Sequence, residues 1–167
     1  MRDHRISYEG LLSGSNFHGL DKPQRAYVMV FRSGIVEAAV SSLARGCDHR
    51  FLILPDIQGM ILKYTMIYAN ALAHFGLNAP MAAFVSIIDV EGKELLQCLT
   101  DGAILEDLPS STLTRNRLEF IECVIEYLPI DVQACARLLR PVFDHLANAA
   151  GLATSPDFDA AGSYTGG

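Results

Sequence analysis

Three groups of residues in this chain have types and spacings that could do chemistry. In "YVMVFRSGIVEAAV", Arg32 and Glu37 stand on either side of a Ser-Gly turn inside an apolar run. So placed, they can clamp a ligand, meet a subunit, close a plain cross-strand ion pair or, for Glu37, act as a catalytic carboxylate. In "RLLRPVFDHLANAAG", Arg137, Arg140, Asp144 and Asn148 recur at near-helical spacing. Arg140 and Asp144 then form an i,i+4 pair on a helix surface, or they belong to a polar cluster at a subunit or domain joint. The third group is Glu37, Asp89 and Glu91 near expected strand ends. A metal-dependent hydrolase or nuclease needs two or three carboxylates converging on a divalent ion.

Motifs that would sharpen any of these readings do not occur in the sequence. There is no G-x-x-x-x-G-K-[ST], G-x-G-x-x-G, H-E-x-x-H or G-x-S-x-G. The five histidines are dispersed, with no pair at metal-ligand spacing. Cys47, Cys98, Cys123 and Cys135 lie too far apart for a zinc knuckle or redox pair and read as small core residues, which suits a reducing cytoplasm. A triad assembled in space stays open, because triads are defined by geometry. No catalytic residue, metal or cofactor is assigned.

The elements that must hold these residues follow from periodicity. Residues 26–32 and 35–43 read as a β-hairpin turning at Ser33-Gly34. A two-residue turn sets residue 32 opposite 35 and 30 opposite 37, which makes Arg32 and Glu37 diagonal neighbours on one face. A helix is expected over about 55–75, with Ile57, Met60, Ile61, Tyr64, Ile67, Tyr68, Leu72 and Phe75 as its stripe. Pro55 and Asp56 suit its start, and Gly76-Leu77 suits a left-handed cap at its end. His74 reads as a surface residue favoured by the helix dipole.

"PMAAFVSIIDVEG" reads as a central strand covered on both faces, and "KELLQCL" as the strand returning from it. Helix and strand spacings compete in "LEFIECVIEYLP", where Phe, Val and Ile favour a strand. "IDVQACARLLRPVFDHLANAAGL" reads as helix, either kinked at Pro141 or restarted there. Gly151-Leu152 repeats the cap pattern. The fold class expected is α+β: a mostly antiparallel or mixed sheet with an N-terminal β-hairpin and two main helices packed on it. The organisation expected is an irregular segment over 1–24, a single α+β domain over 25–152, and a tail over 153–167. The abrupt opening reads like the interior of a longer protein.

Composition bounds the partners. The chain has 167 residues, 50% hydrophobic and 19% charged, so its apolar surplus implies either a large core or an interface. A net charge of −6 with scattered basic residues argues against direct duplex binding. No run approaches the ~18 apolar residues of a membrane span, and the first ten residues lack the apolar core of a signal peptide. A cytoplasmic homo-oligomer, or a domain docked on a neighbour, is expected.

Three segments in order, "YVMVFRSGIVEAAVSSL", "LNAPMAAFVSIIDVEG" and "LRPVFDHLANAAGLATSPDFDAAGSY", resemble the C-terminal region of bacterial Schlafen AlbA-type proteins. The positions that match its pattern are Phe31, Arg32, Gly34, Glu37, Pro80, Arg140, Pro141, Asp144, Asn148, Gly151, Ser155, Pro156, Asp157 and Gly162. Where the family often ends this pattern on Trp, the chain has Tyr164. The resemblance covers roughly residues 25–165. It implies a non-catalytic accessory domain (sensor, assembly or regulatory, for example in transcription) of a protein whose AlbA-type nucleic-acid- or ATP-binding module is absent from this chain. It also implies that the tail docks on the domain, although its composition alone reads as disordered. Ligand or interface candidates are Arg32, Glu37, Arg140, Asp144, Asn148 and Asp157. Two other readings stand beside this one. One is a small-molecule sensor with a pocket between the sheet and the 55–75 helix, lined by Met60, Tyr64 and Tyr68. The other is a metal-dependent hydrolase or nuclease using Glu37, Asp89 and Glu91.

Overall fold

The computed structural model describes residues 3–14, 26–41, 43–44, 50–96, 110–128 and 130–166. His18, His49, Cys47, Cys98 and residues 100–109 lie outside them. The chain is an α+β protein that divides into two compact units, Met1–Leu43 and Ala44–Gly167.

The first unit is a four-stranded antiparallel meander of β1 (Asp3–Ile6), β2 (Gly10–Gly14), β3 (Ala26–Phe31) and β4 (Val36–Val40). Residues 1–24, expected to be irregular, thus supply two strands, and the boundary expected at 24/25 falls inside this unit. Gly10, in the segment expected to be irregular, is a strand residue. Gly10 pairs with Phe31, and a Cβ on Gly10 would lie 2.0 Å from the Val30 carbonyl oxygen. Only glycine admits so close a backbone approach.

The β3–β4 hairpin is present with a different register. Val30 faces Val36 and Met29 faces Glu37. Phe31 N–H donates to Ile35 O, and Gly34 N–H to Phe31 O, with Gly34 at φ 87°. The loop is therefore Arg32–Ser33–Gly34, three residues ending on a left-handed glycine, in place of the two-residue turn. That one-residue difference reassigns every cross-strand neighbour.

In the second unit, β5 (Phe51–Ile53) runs into α1 (Leu54–His74). Pro55 lies in the first turn and Asp56 beside it, where a carboxylate favours the helix dipole. The helix ends in a Schellman motif: Gly76 N–H donates to Ala73 O and Leu77 N–H to Leu72 O, with Gly76 at φ 78°. Its buried residues are Leu54, Ile57, Gln58, Leu62 and Ala69. This face is rotated from the expected stripe, which leaves Ile67 and Phe75 exposed. A helix apolar on most of its circumference does not declare which side packs.

Next come β6 (Met81–Ala83), β7 (Ser86–Ile88) and β8 (Glu94–Leu96), then β9 (Ser110–Thr112), β10 (Arg117–Glu119) and β11 (Cys123–Ile125). β8 pairs antiparallel with β9, β7 with β10 and β6 with β11, so residues 81–96 and 110–125 form two arms of one interrupted ribbon. Between Ala83↔Cys123 and Ser86↔Glu119 two residues oppose three, which is a β-bulge. β5 adds in parallel to β8. Of "KELLQCL", residues 93–96 therefore continue the first arm, and residues 110–125 return along it. The 81–88 segment is not a central strand. It lies in a two-stranded ribbon whose inward side chains, such as Ile87, Cys123 and Ile125, alternate with exposed ones.

α2 (Val132–Ala149) is a single helix with Pro141 inside it. Asp131 caps it, accepting from Ala134 N–H at 2.7 Å. Gly151 and Leu152 close it in a second Schellman motif. The Asn70 side chain of α1 fixes the entry to α2, accepting from Ile130 N–H and donating to Ile130 O. α1 packs against α2 and β5, and α2 against β11. Leu139, Val142, Phe143 and Leu146 are wholly buried, each worth about 1.5–3 kcal/mol of apolar burial. Among the described residues no helix is long and apolar enough to cross a membrane.

Candidate functional site

Arg32 and Glu37 do not meet. Arg32 occupies the hairpin loop, where its Nε donates to Tyr8 O at 2.9 Å and its N–H to Glu9 O at 2.9 Å. It ties the β3–β4 loop to the β1–β2 turn. Glu37 faces Met29 and accepts from the hydroxyl of Tyr27, its diagonal neighbour. That hydrogen bond, with some desolvation and the carboxylate's charge, raises the Tyr27 phenol above its ordinary value of 10.0. The expected Arg32–Glu37 pairing is thus replaced by two separate contacts, because the longer loop moves Glu37 to the face of Tyr27.

The second group does assemble, around the tail. Arg140 lies 3.7 Å from Asp144, the i,i+4 pair read from the sequence. Asp144 also accepts the backbone N–H of Ser155 at 2.8 Å. Asn148 Nδ2 donates to Leu152 O and Ala153 O, each at 2.9 Å. Arg140 stacks over Phe158, 5.0 Å from the ring centre. Phe158 and Tyr164 pack on Phe143 and on each other. Residues 153–166 therefore lie folded against α2, and the polar positions on that helix serve this intramolecular joint.

Asp157, the last candidate, lies in the tail. Its carbonyl accepts the Thr165 N–H and hydroxyl, and burial raises its carboxyl above the ordinary value. Tyr164 is raised by burial and then by the Asp157 charge.

Sequence reasoning missed two polar residues here, Gln58 and Gln133. Gln58, fully buried on α1, donates to Ser155 Oγ at 2.9 Å, while its Oε1 has no protein partner. Gln133 clasps the Tyr164 backbone through both amide atoms. A glutamine among helix-favouring residues carries no signal of burial. Ser155 was legible only as part of the SPDF resemblance.

The third group finds no support in geometry. Among the described residues no three His, Cys, Asp or Glu side chains gather where they could hold a metal ion. Cys123 and Cys135 are buried free thiols, both raised by desolvation, Cys135 to about 11, which leaves them inert as nucleophiles at neutral pH. His74 and His145 pair edge-on with Phe75 and Phe120.

Arg32 also borders an open cleft of about 380 Å³ with Tyr8, Glu9, Phe31 and Ser33, and the second unit has two further surfaces. The outward face of the ribbon presents Phe84, Ile88, Ile121 and Val124, at 74%, 67%, 59% and 51% exposure. An open cleft of about 340 Å³ lies between β11 and α2, lined by Val124–Tyr127, Ile130, Asp131, Ala134 and Leu138. No protein-family description, curated protein or solved structure matches the chain.

Proposed function

We propose that this chain is a non-catalytic accessory module, acting by assembly with itself or with a neighbouring domain, as its resemblance to the C-terminal region of Schlafen AlbA-type proteins implies. The observation that carries this reading is the outward ribbon face. Phe84, Ile121 and Val124 are exposed on it at neighbouring positions of the paired strands β6 and β11 and the bulge beside them, and Ile88 is exposed further along, beyond Ser86 and the Arg117–Glu119 pair. Single exposed apolar residues are ordinary, but several large ones grouped on one sheet face are a common form of interaction surface. The polar candidates Arg140, Asp144 and Asn148 are occupied in holding the tail, which favours a scaffolding role for them over a catalytic one. In this reading nucleic-acid contact falls to another module.

The test is light scattering coupled to size-exclusion chromatography, on the wild type and on Phe84→Lys with Ile121→Lys. The reading expects an oligomer that the double substitution converts to monomer. A wild type that stays monomeric across the concentration range removes self-assembly.

A further inference from the structure

We infer that the cleft between β11 and α2 is a docking groove for an extended, basic peptide segment of a partner protein, which adds as a strand to β11. Two independent features meet there. First, β11 pairs only with β6 among the described residues, so its other edge offers unpaired backbone donors and acceptors. A peptide laid along such an edge gains main-chain hydrogen bonds whatever its sequence. Second, the edge is flanked by a helix that leaves room. Ala134 and Leu138, i,i+4 on α2, line it from the helix, and Ile130 lines it just before the helix. A strand edge beside an apolar slot suits β-strand addition: backbone pairing gives affinity, and a pocket for alternate side chains gives specificity.

Charge selects the occupant. The lining carries Glu126 and Asp131 and no lysine or arginine. Glu122 is exposed just before β11. The nearest base on α2 is Arg137, whose Nε is turned back to Gln133 O. The positive end of the α2 dipole does not reverse this, because Asp131 caps it. An apolar or β-branched core flanked by Lys or Arg fits this rim, and an acidic segment is repelled. The inference goes beyond the assembly reading and does not depend on it, since the groove lies beside the outward face bearing Phe84 and Ile121.

The test is panning of a displayed library of random nonapeptides on the immobilised full chain, then fluorescence anisotropy of the enriched peptides. Enrichment of peptides with Lys or Arg around valine, isoleucine or threonine is expected. Binding should fall by about tenfold or more with Ala134→Arg, which fills the slot. It should weaken and lose salt dependence with Glu126→Lys, an exposed change that leaves the fold intact. It should persist in the Phe84→Lys, Ile121→Lys double variant, so failure here is distinct from failure of the assembly reading. Panning that enriches nothing, or acidic peptides, overturns the inference, as does binding that neither groove substitution alters. A dimer of the chain that Ala134→Arg dissociates, with no peptide selected, assigns the groove to a second copy and also overturns it.

Discussion

Gln58 of α1 and Ser155 of the tail, 97 residues apart in the chain, share one buried hydrogen bond of 2.9 Å. Ser155 Oγ also receives the Asp157 N–H, and Ser155 N–H reaches Asp144. One serine thus joins α1, α2 and the tail. Ser155→Ala strands the Gln58 amide, whose Oε1 already lacks a protein partner. A buried polar group left unsatisfied costs about 1–3 kcal/mol. Urea unfolding should show that loss at unchanged m-value, and Gln58→Leu added to Ser155→Ala should recover part of it. No recovery in the double variant would mean that the cost lies in the lost Asp157 N–H to Ser155 Oγ bond and not in the stranded amide.

Asp157 predicts a pH dependence of opposite sign to that of an ion-paired carboxylate. Burial raises its folded-state pKa above the ordinary 3.8. The folded chain then binds the proton more tightly than the unfolded one. This group's contribution to stability therefore increases as pH falls from the raised folded value toward 3.8, and at neutral pH the half-buried charge is a net cost. Asp157→Asn should raise the melting temperature at pH 7 and flatten its dependence in that window. A lower melting temperature at pH 7 would show that the carboxylate makes a favourable contact that outweighs its desolvation.

Tyr27 and Glu37 give a second titration. The phenol is held protonated by its bond to Glu37, so its folded pKa lies above 10.0. The stability this contributes is complete below the unfolded value and is lost as pH rises through the raised folded one. Glu37→Gln should move the Tyr27 step in tyrosinate absorbance, identified by difference from Tyr27→Phe, back toward 10.0. Arg32→Ala should leave that step in place. A Tyr27 step that responds to Arg32→Ala would return Arg32 and Glu37 to one cluster.

The contrast between helices and sheets explains what could be read in advance. α1 was legible almost to its ends because its signals are local, Pro55 near the start and Gly76 at the end. For α2 the stripe and Gly151 were legible, but the start at Asp131 was not, nor was whether Pro141 splits the helix. The strands were less so, because their partners are distant. Residues 81–88 read as a buried central strand from apolarity alone, yet Phe84 and Ile88 point outward. The hairpin was visible from Ser33-Gly34, but its register turned on a loop of three residues, not two. In the candidate site, Arg140, Asp144 and Asn148 were found by spacing, whereas the tail they hold, from Leu152 to Phe158, was expected to dock chiefly from the resemblance. Gln58 and the β11–α2 cleft had no signature, since burial of an amide and the free edge of a strand are properties of tertiary pairing.

Gly10 and Gly59 make a paired test of the backbone. A Cβ on Gly10 meets the Val30 carbonyl oxygen at 2.0 Å and Phe31 Cα at 2.9 Å, and neither is the end of a movable side chain. Gly10→Ala must push β2 off β3, an overpacking that costs about 1–3 kcal/mol or more. Amide exchange at Val28 and Val30 should accelerate while α1 and α2 keep their protection, because the sheet and the helices belong to different compact units. Gly59, inside α1 with nothing within 4 Å of its would-be Cβ, should behave in the opposite sense. Gly59→Ala is expected to stabilise by about 0.5–1 kcal/mol, the helix-propensity difference. Unchanged exchange in β3 on Gly10→Ala would show that β2 and β3 do not pair in this register. The β1–β2 turn would then no longer be held beside Arg32, and the contact from Arg32 Nε to Tyr8 O would go with it.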